Sequence, residues 1–141
     1  MSGKYPYGTM TKYPHLDGQE RILWHRFIQK YPSRFDTYDY DVKIRVVPEI
    51  LPLWDKKTFD YWALITKKTI DVIGWKKNSA TIIEVKLRLG LATLGQVLGY
   101  RFLFHHEYPD VLLKPPLIVC SFINQDDSDV LDNYGILHEV V

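Results

Sequence analysis

Three ionisable residues interrupt two sequence runs that otherwise have the apolar, β-branched composition of buried strands. Asp71 lies within residues 70–73, and Glu84 and Lys86 lie within residues 80–87. The polar stretch between the two runs has the composition of a tight turn, so residues 69–88 predict a β-hairpin. Side chains two residues apart in a strand point to the same face, so Glu84 and Lys86 should project together.

Two carboxylates and a lysine on one hairpin are groups that metal-assisted hydrolysis of a phosphodiester requires. A hard metal ion prefers oxygen ligands, supplies an activated water and stabilises negative charge on the phosphate. We expect Asp71 and Glu84 to hold Mg²⁺, or Mn²⁺ as a substitute, with the carbonyl oxygen of Val85 completing the ligand set. Lys86 would orient or help deprotonate the attacking water and offset the phosphate charge.

Each of these residues also has a structural explanation when it is taken singly. An aspartate in a strand is more often solvated than a metal ligand, and a pair such as Glu84 and Lys86 most often faces solvent. The catalytic interpretation depends on their conjunction, because both runs are too apolar for exposed strands.

The segments around the hairpin predict one domain, residues 16–141, in which helices flank a mixed β-sheet. Residues 1–15 are rich in Tyr, Pro and Gly and predict a flexible arm. Hydrophobic periodicity gives the order α-β-β-β-α-β-α-β, an α/β or α+β arrangement. The predicted helices are residues 18–31, 91–107 and 126–133, and the predicted strands outside the hairpin are residues 38–47, 117–123 and 136–141, with residues 59–66 as a candidate extension of the first hairpin strand.

Two of the predicted helices carry further signals. Asp17 and Glu20 have the spacing of a capping box at the start of the first helix. Residues 91–107 are apolar on several faces and predict a mostly buried helix. Gly95 and Gly99 lie one turn apart within it, which suggests close packing of the helix backbone against the sheet.

The hairpin also carries a recognisable signature. Asp71, followed after twelve intervening residues by Glu84, Val85 and Lys86, with a hydrophobic strand on either side, resembles the core signature of the PD-(D/E)XK nuclease superfamily. Ile70 stands where that name puts proline, and the acidic position is intact. The resemblance covers most of the chain and implies a restriction-endonuclease-like core, although residues 48–62 have no counterpart in it.

The resemblance implies three further site residues. Glu20 is similar to an extra acidic residue that some members place on the first helix, where it would join the metal site; a helix cap or a first-turn partner of the helix dipole is the alternative. Gln96 and Tyr100 look like the Gln-x-x-x-Tyr pair of the exonuclease-like and archaeal Holliday-junction-resolvase-like branches. They would position the water, the lysine or a phosphate, whereas a tyrosine on a buried helix usually only finds a hydrogen-bond partner.

Nucleic acid is the expected partner, through local charge rather than total charge. The chain of 141 residues has a formal net charge of +1 and a pI near 7.8. We expect DNA, with RNA also open, to be recognised by its structure, ends or single strands, because no helix carries an obvious base-reading face. The candidate phosphate contacts are Lys67, Lys68, Lys76, Lys77 and Arg88, with solvated turn residues as the preferred explanation of Lys76 and Lys77.

Other features of the sequence indicate the cellular compartment and argue against zinc and nucleotide sites. Cys120 is the only cysteine, so no internal disulfide forms, and its apolar surroundings predict a buried thiol in a reducing compartment. No apolar run is long enough to suggest a membrane span, so we expect a cytoplasmic protein, in the host cytoplasm if viral. The histidines lack a zinc-site spacing, and no phosphate-binding glycine loop occurs.

Three functions remain open. The first is a Mg²⁺-dependent deoxyribonuclease of replication, recombination or repair, in a virus or mobile element. The second is a catalytically silent subunit that binds nucleic acid, and the third is a protein-interaction domain that uses the aromatic segment at residues 54–62. A junction-cutting enzyme would favour a homodimer, whereas an end-processing enzyme could be a monomer or a ring.

Overall fold

The computed structural model describes residues 3–6, 8–44, 55–57 and 68–141, which contain a mixed seven-stranded sheet and three helices. The predicted combination of a mixed sheet with flanking helices is therefore confirmed. The helices are α1 (Gly18–Lys30), α2 (Leu91–Glu107) and α3 (Gln125–Asn133). The strands are β1 (Tyr5–Pro6), β2 (Thr37–Ile44), β3 (Lys68–Lys76), β4 (Ser79–Arg88), β5 (Leu112–Leu113), β6 (Leu117–Phe122) and β7 (Leu137–Val140).

The hairpin β3–β4 lies in the middle of the sheet. The strand order is β1-β2-β3-β4-β6-β7, and β5 pairs with the beginning of β4. Strands β1 to β4 are antiparallel, whereas β4, β6 and β7 are parallel to one another. Parallel neighbours need a crossover connection, which α2 provides between β4 and β6 and α3 provides between β6 and β7.

Both faces of the sheet are covered because its central strands are apolar on both sides. In β4, Ile83 packs in the core beneath α1, whereas its neighbour Ile82 packs in the core beneath α2. In β6, Val119 packs in the core beneath α1, whereas Ile118 packs on the other face, in a cluster with residues of α2 and α3. This double burial is typical of the parallel part of a sheet. It fixes α1 on one face and α2 with α3 on the other.

The predicted order differs from the observed one by two short strands. Neither β1 nor β5 was expected, since two residues are too few to show a periodic pattern. Strand β1 lies within the segment predicted as an arm, where it pairs with β2. In the same segment Tyr13 is buried in the core beneath α1, and its hydroxyl contacts His25 Nδ1 at 2.9 Å.

Three expectations about the helices are wrong. Asp17 is the N-cap of α1 but makes no side-chain capping hydrogen bond, so no capping box forms. Helix α2 is not mostly buried, because its apolar residues point in several directions and only one side meets the sheet; Phe102 is 71% exposed. A Cβ atom built on Gly95 or Gly99 meets no atom within 4 Å, so these glycines do not mark close packing.

Several sequence-based expectations fall outside the described residues. They concern residues 45–47 of the predicted first strand, residues 59–66, Lys67 and most of residues 48–62. Within that last segment the structure describes only residues 55–57, of which two are helical. No helix in the described part of the chain is long and apolar enough to cross a lipid bilayer.

Candidate active site

Asp71 and Glu84 meet where the β3–β4 hairpin opens. The paired register of the two strands ends at Val72 opposite Ile83. Beyond that pair, the backbone N–H of Asp71 donates to Glu84 Oε1 at 3.3 Å, and that of Val85 donates to Asp71 Oδ2 at 3.0 Å. The two carboxylates therefore accept hydrogen bonds from N–H groups that the separating strands no longer pair with each other.

The backbone of β2 is irregular at the same level. Asp41 in β2 has a left-handed backbone, with φ of 53°. Tyr40 before it lies in the core beneath α1, whereas Val42 after it packs against the core beneath α2. In a regular strand these two side chains would share a face. Asp71 occupies the facing position of β3, so the irregularity crosses two neighbouring strands.

The two carboxyl groups are buried next to each other. Asp71 is 8% exposed and Glu84 is 2% exposed. Burial, followed by the negative charge of Asp71, raises the pKa of Glu84 to about 8, and the positive charge of Lys86 opposes this rise. A pair of like charges in a poorly solvated place is unfavourable unless a proton or a cation is shared between them.

The chemistry of this pair fits a divalent cation. Carboxylate oxygens are the ligands that Mg²⁺ and Mn²⁺ prefer, and a cation would compensate the buried negative charge. Among the residues that the structure describes, no cluster of three or more His, Cys, Asp or Glu side chains is suited to a metal. Asp71 and Glu84 would therefore need further oxygen ligands from the backbone, water or substrate.

Val85 and Lys86 follow Glu84 with opposite orientations. The Val85 side chain is buried beneath α1, and its N–H points toward β3. Because the N–H and C=O of one strand residue lie on the same edge, the Val85 carbonyl oxygen also faces β3, on the side of Asp71. Lys86 shares the face of Glu84 and is half-buried, and its positive charge opposes the rise in the pKa of that carboxylate.

Helix α2 brings Gln96 and Tyr100 toward the pair of acids. These residues lie one turn apart on α2, and their side chains lie close together. Burial raises the pKa of the Tyr100 phenol, and the negative charges of Glu84 and Asp71 raise it further. The Tyr100 phenol therefore lies close enough to the opened end of the hairpin for the charges of the two acids to affect it.

Glu20 approaches the same place from the first turn of α1. Burial raises its pKa, and so does the negative charge of Asp71, whereas the charges of Lys86 and His15 lower it. The carboxyl group of Glu20 therefore belongs electrostatically to the cluster formed by Asp71 and Lys86. Its place in the metal site stays a prediction.

The basic residues divide between the two ends of the hairpin. Lys68 begins β3 and Arg88 ends β4, and both are exposed at the end where Asp71 lies. Lys76 and Lys77 adjoin the turn, about five residues or ~17 Å along the strand from Asp71. Lys68 and Arg88 therefore lie at the same end of the hairpin as the acids, whereas Lys76 and Lys77 lie at the other end.

Lys76 and Lys77 have a structural role at the turn. Lys76 Nζ donates to the Ser33 carbonyl oxygen at 2.9 Å and to Asp36 Oδ1 at 3.2 Å, while the Lys77 N–H donates to Asp36 Oδ2 at 2.9 Å. These three hydrogen bonds hold the loop before β2 against the turn. The two bonds to Asp36, from the Lys77 N–H and from Lys76, also lower the pKa of Asp36.

Sequence reasoning missed two residues beside the site. His15 Nδ1 lies 3.7 Å from Asp41 Oδ1, which also accepts a hydrogen bond from Lys43 Nζ at 2.9 Å. The available signal was the position of Asp41, a carboxylate inside a predicted strand, as Asp71 is. His15 lies near Glu20 only because the chain before α1 folds back, which no local pattern reveals.

The chain was compared with models of protein families, with curated proteins and with solved structures, and none of them matches it. Its candidate chemistry is therefore argued from its own residues.

Proposed function

We propose that this protein is a metal-dependent deoxyribonuclease that hydrolyses phosphodiester bonds. The observation that carries the proposal is the buried pair of Asp71 and Glu84 at the opened end of the hairpin, with Lys86 on the same strand face. A buried pair of carboxylates tends to destabilise a fold, and such arrangements cluster at functional sites.

Each residue has a role that follows from its place. Asp71 and Glu84 would hold the ion, with the Val85 carbonyl oxygen beside them. A bound Mg²⁺ supplies an activated water and neutralises charge on the phosphate. Lys86 would bind a phosphate oxygen or orient the attacking water from the face it shares with Glu84.

Three residues would surround this centre. Tyr100, with Gln96 beside it, would donate a hydrogen bond to the water or to a phosphate oxygen, and Glu20 would contribute negative charge from α1. Phosphate contacts by Lys68 and Arg88 would orient the DNA backbone toward the acids. RNA remains open as a substrate, and a homodimer is one of the assemblies compatible with the site.

A restriction-endonuclease-like core is part of the same proposal. Its support is the succession of α1, three antiparallel strands, α2 and a strand parallel to β4, with the acids on the two central strands. Membership of the PD-(D/E)XK superfamily would imply action on DNA structures or ends in replication, recombination or repair. The same proposal includes a cytoplasmic location and an origin in a virus or mobile element.

One observation favours a catalytically silent, nucleic-acid-binding subunit as the second candidate. Asp71 Oδ2 and Glu84 Oε1 already accept backbone hydrogen bonds across the opened strands. The carboxylates could therefore serve to satisfy the backbone alone. This alternative retains the basic residues near the site but predicts no metal-dependent turnover.

The deciding experiment is cleavage of a labelled panel comprising linear duplex, single strand, flap, four-way junction and RNA, in Mg²⁺, Mn²⁺ or EDTA. Asp71→Asn keeps an oxygen that accepts the Val85 N–H bond while it removes the charge, and Lys86→Gln removes the ammonium group. Lys76→Gln is the matched control, since this lysine lies at the other end of the hairpin. Metal-dependent cleavage lost in the first two variants and kept in the third supports the nuclease. Binding without cleavage supports the silent subunit.

A further inference from the structure

An exposed aromatic ring lies at the end of β6, beside the predicted phosphate contact Arg88. Phe122 is 50% exposed, although the first four residues of its strand are buried. The Arg88 guanidinium lies over the ring, 5.4 Å from its centroid. Phe122 and Arg88 are register partners on the parallel strands β4 and β6, so their side chains lie on the same face of the sheet.

This face is the one that carries the candidate active site. Every second residue of a strand projects to the same side, so one side of β4 carries Glu84, Lys86 and Arg88. Their exposure increases along the strand, from the buried Glu84 through the half-buried Lys86 to the exposed Arg88. Phe122 stands beside the outer end of this line. The ring therefore lies about four residues along β4 from Glu84, or ~13 Å. A nucleic-acid strand that reaches the acids could pass the ring at this distance.

The backbone around the ring is held by hydrogen bonds. The Leu89 N–H donates to the Phe122 carbonyl oxygen at 3.1 Å, and Ser121 Oγ donates to the Leu87 carbonyl oxygen at 2.6 Å. A cavity of about 470 Å³ is lined here by Leu87, Arg88, Ser121 and Phe122. The aromatic group is therefore displayed on a fixed strand end.

We propose that Phe122 and Arg88 form a stacking platform for an unpaired base of single-stranded DNA, ~13 Å along β4 from the acids. This inference rests on the proposed function and specifies its substrate. A base in a duplex is covered on both faces by its neighbours, whereas an unpaired base exposes a π-face to an aromatic ring. Arg88 attracts the phosphate backbone and stacks on the ring, so the platform combines the two interactions used in single-strand binding.

The platform explains why an apolar ring is exposed beside a cation at this end of the sheet. It also gives the nuclease a preference for single strands or frayed ends without reading sequence, since every base has a π-face. A blunt duplex would meet only the charge of Arg88. The selectivity for single strands should therefore depend on Phe122 rather than on the acids.

The test measures binding of a fluorescein-labelled thymidine oligonucleotide and of a blunt duplex by anisotropy in EDTA, which separates binding from cleavage. We expect Phe122→Ala to weaken single-strand binding about tenfold and to leave duplex binding within about twofold. Phe122→Trp should retain single-strand binding. Phe102→Ala is the matched control, because it removes a more exposed phenylalanine on α2. Circular dichroism confirms that each variant is folded.

Four results would overturn the platform: no single-strand binding by the natural protein, unchanged binding by Phe122→Ala, an equal loss on duplex, or an equal loss in Phe102→Ala. Failure of the proposed function gives a different pattern. If no nucleic acid is cut but single-strand binding depends on Phe122, the platform stands and the nuclease does not. If Asp71→Asn loses cleavage while Phe122→Ala binds normally, the nuclease stands and the platform does not.

Discussion

Asp71 and Glu84 face each other across the opened end of the β3–β4 hairpin, where the Glu84 carboxylate accepts the Asp71 N–H and the Asp71 carboxylate accepts the N–H of Val85. The same two groups thus hold the strands together and concentrate negative charge in a buried place. A structural role requires only their hydrogen-bond acceptors, whereas a metal site requires their charge. Variants that keep the acceptors and remove the charge separate the two roles.

Glu84→Gln should abolish cleavage and at the same time stabilise the metal-free protein. The amide oxygen can still accept the Asp71 N–H, but the repulsion between two buried carboxylates disappears. We expect cleavage to fall by at least about 100-fold and the melting temperature in EDTA at pH 8.5 to rise by about 3 °C. Calorimetry and the cleavage assay measure the two effects. A lower melting temperature would show that the Glu84 charge stabilises the fold.

The stability of the metal-free protein should fall as the pH rises. The pKa of Glu84 is raised from 4.5 to about 8 in the folded state, so the folded protein binds more protons than the unfolded chain between these values. This contribution to stability is complete below about pH 4.5 and is lost as the pH passes through about 8. Urea unfolding in EDTA at pH 5.5, 7 and 8.5 measures it.

Two comparisons make this pH dependence specific. Glu84→Gln removes the titrating group and should flatten the profile over the same range. Added Mg²⁺ should stabilise the natural protein more at pH 8.5 than at pH 5.5, because metal binding requires ionised carboxylates. Parallel profiles for the natural protein and the variant would exclude Glu84 as the source of the pH dependence.

The hairpin and α2 could be predicted because their signals are local. Two apolar runs separated by turn residues specify β3 and β4, and the apolar run after Gly90 specifies α2 with its observed bounds. The last hydrogen-bonded pair of a hairpin is set by tertiary packing, so the opening at Asp71 and Glu84 has no local signal. Asp71 and Glu84 could be selected because they are ionisable residues inside apolar runs, and the structure then brings them together.

The surroundings of the site were less predictable. Glu20 and Tyr100 both lie in the field of Asp71 only because α1 and α2 cover opposite faces of the sheet near the end of the same hairpin. Lys76 and Lys77 were candidate phosphate contacts together with Lys68, although their place beside the predicted turn already favoured solvated residues; the turn lies at the far end of the strands. These lysines have the same residue type and differ only in their distance along the strand from Asp71.

Gly99→Ala and Gly74→Ala should change stability in opposite directions. A Cβ on Gly99 meets nothing within 4 Å, so alanine should stabilise α2 by about 0.5–1 kcal/mol through its higher helix propensity. A Cβ on Gly74 would lie 2.6 Å from the Phe35 ring, and alanine there should destabilise the protein by about 1–3 kcal/mol. Urea unfolding measures both. A destabilised Gly99→Ala would restore the expectation that this glycine packs closely.

Tyr100→Phe should reduce cleavage while it leaves the fold nearly unchanged. The hydroxyl group lies beside Gln96 and in the field of Glu84, and half-burial of the side chain allows phenylalanine to keep its packing. We expect about a 10-fold to 100-fold loss of kcat, the equivalent of a hydrogen bond to a charged group, with a smaller loss in Gln96→Ala, which removes only the support of the hydroxyl. Tyr134→Phe is the matched control, because this exposed tyrosine follows α3. Equal cleavage by Tyr100→Phe and Tyr134→Phe would leave Tyr100 with a packing role alone, and α2 would then serve the active site only by closing the face of the sheet on which Glu84 and Lys86 project.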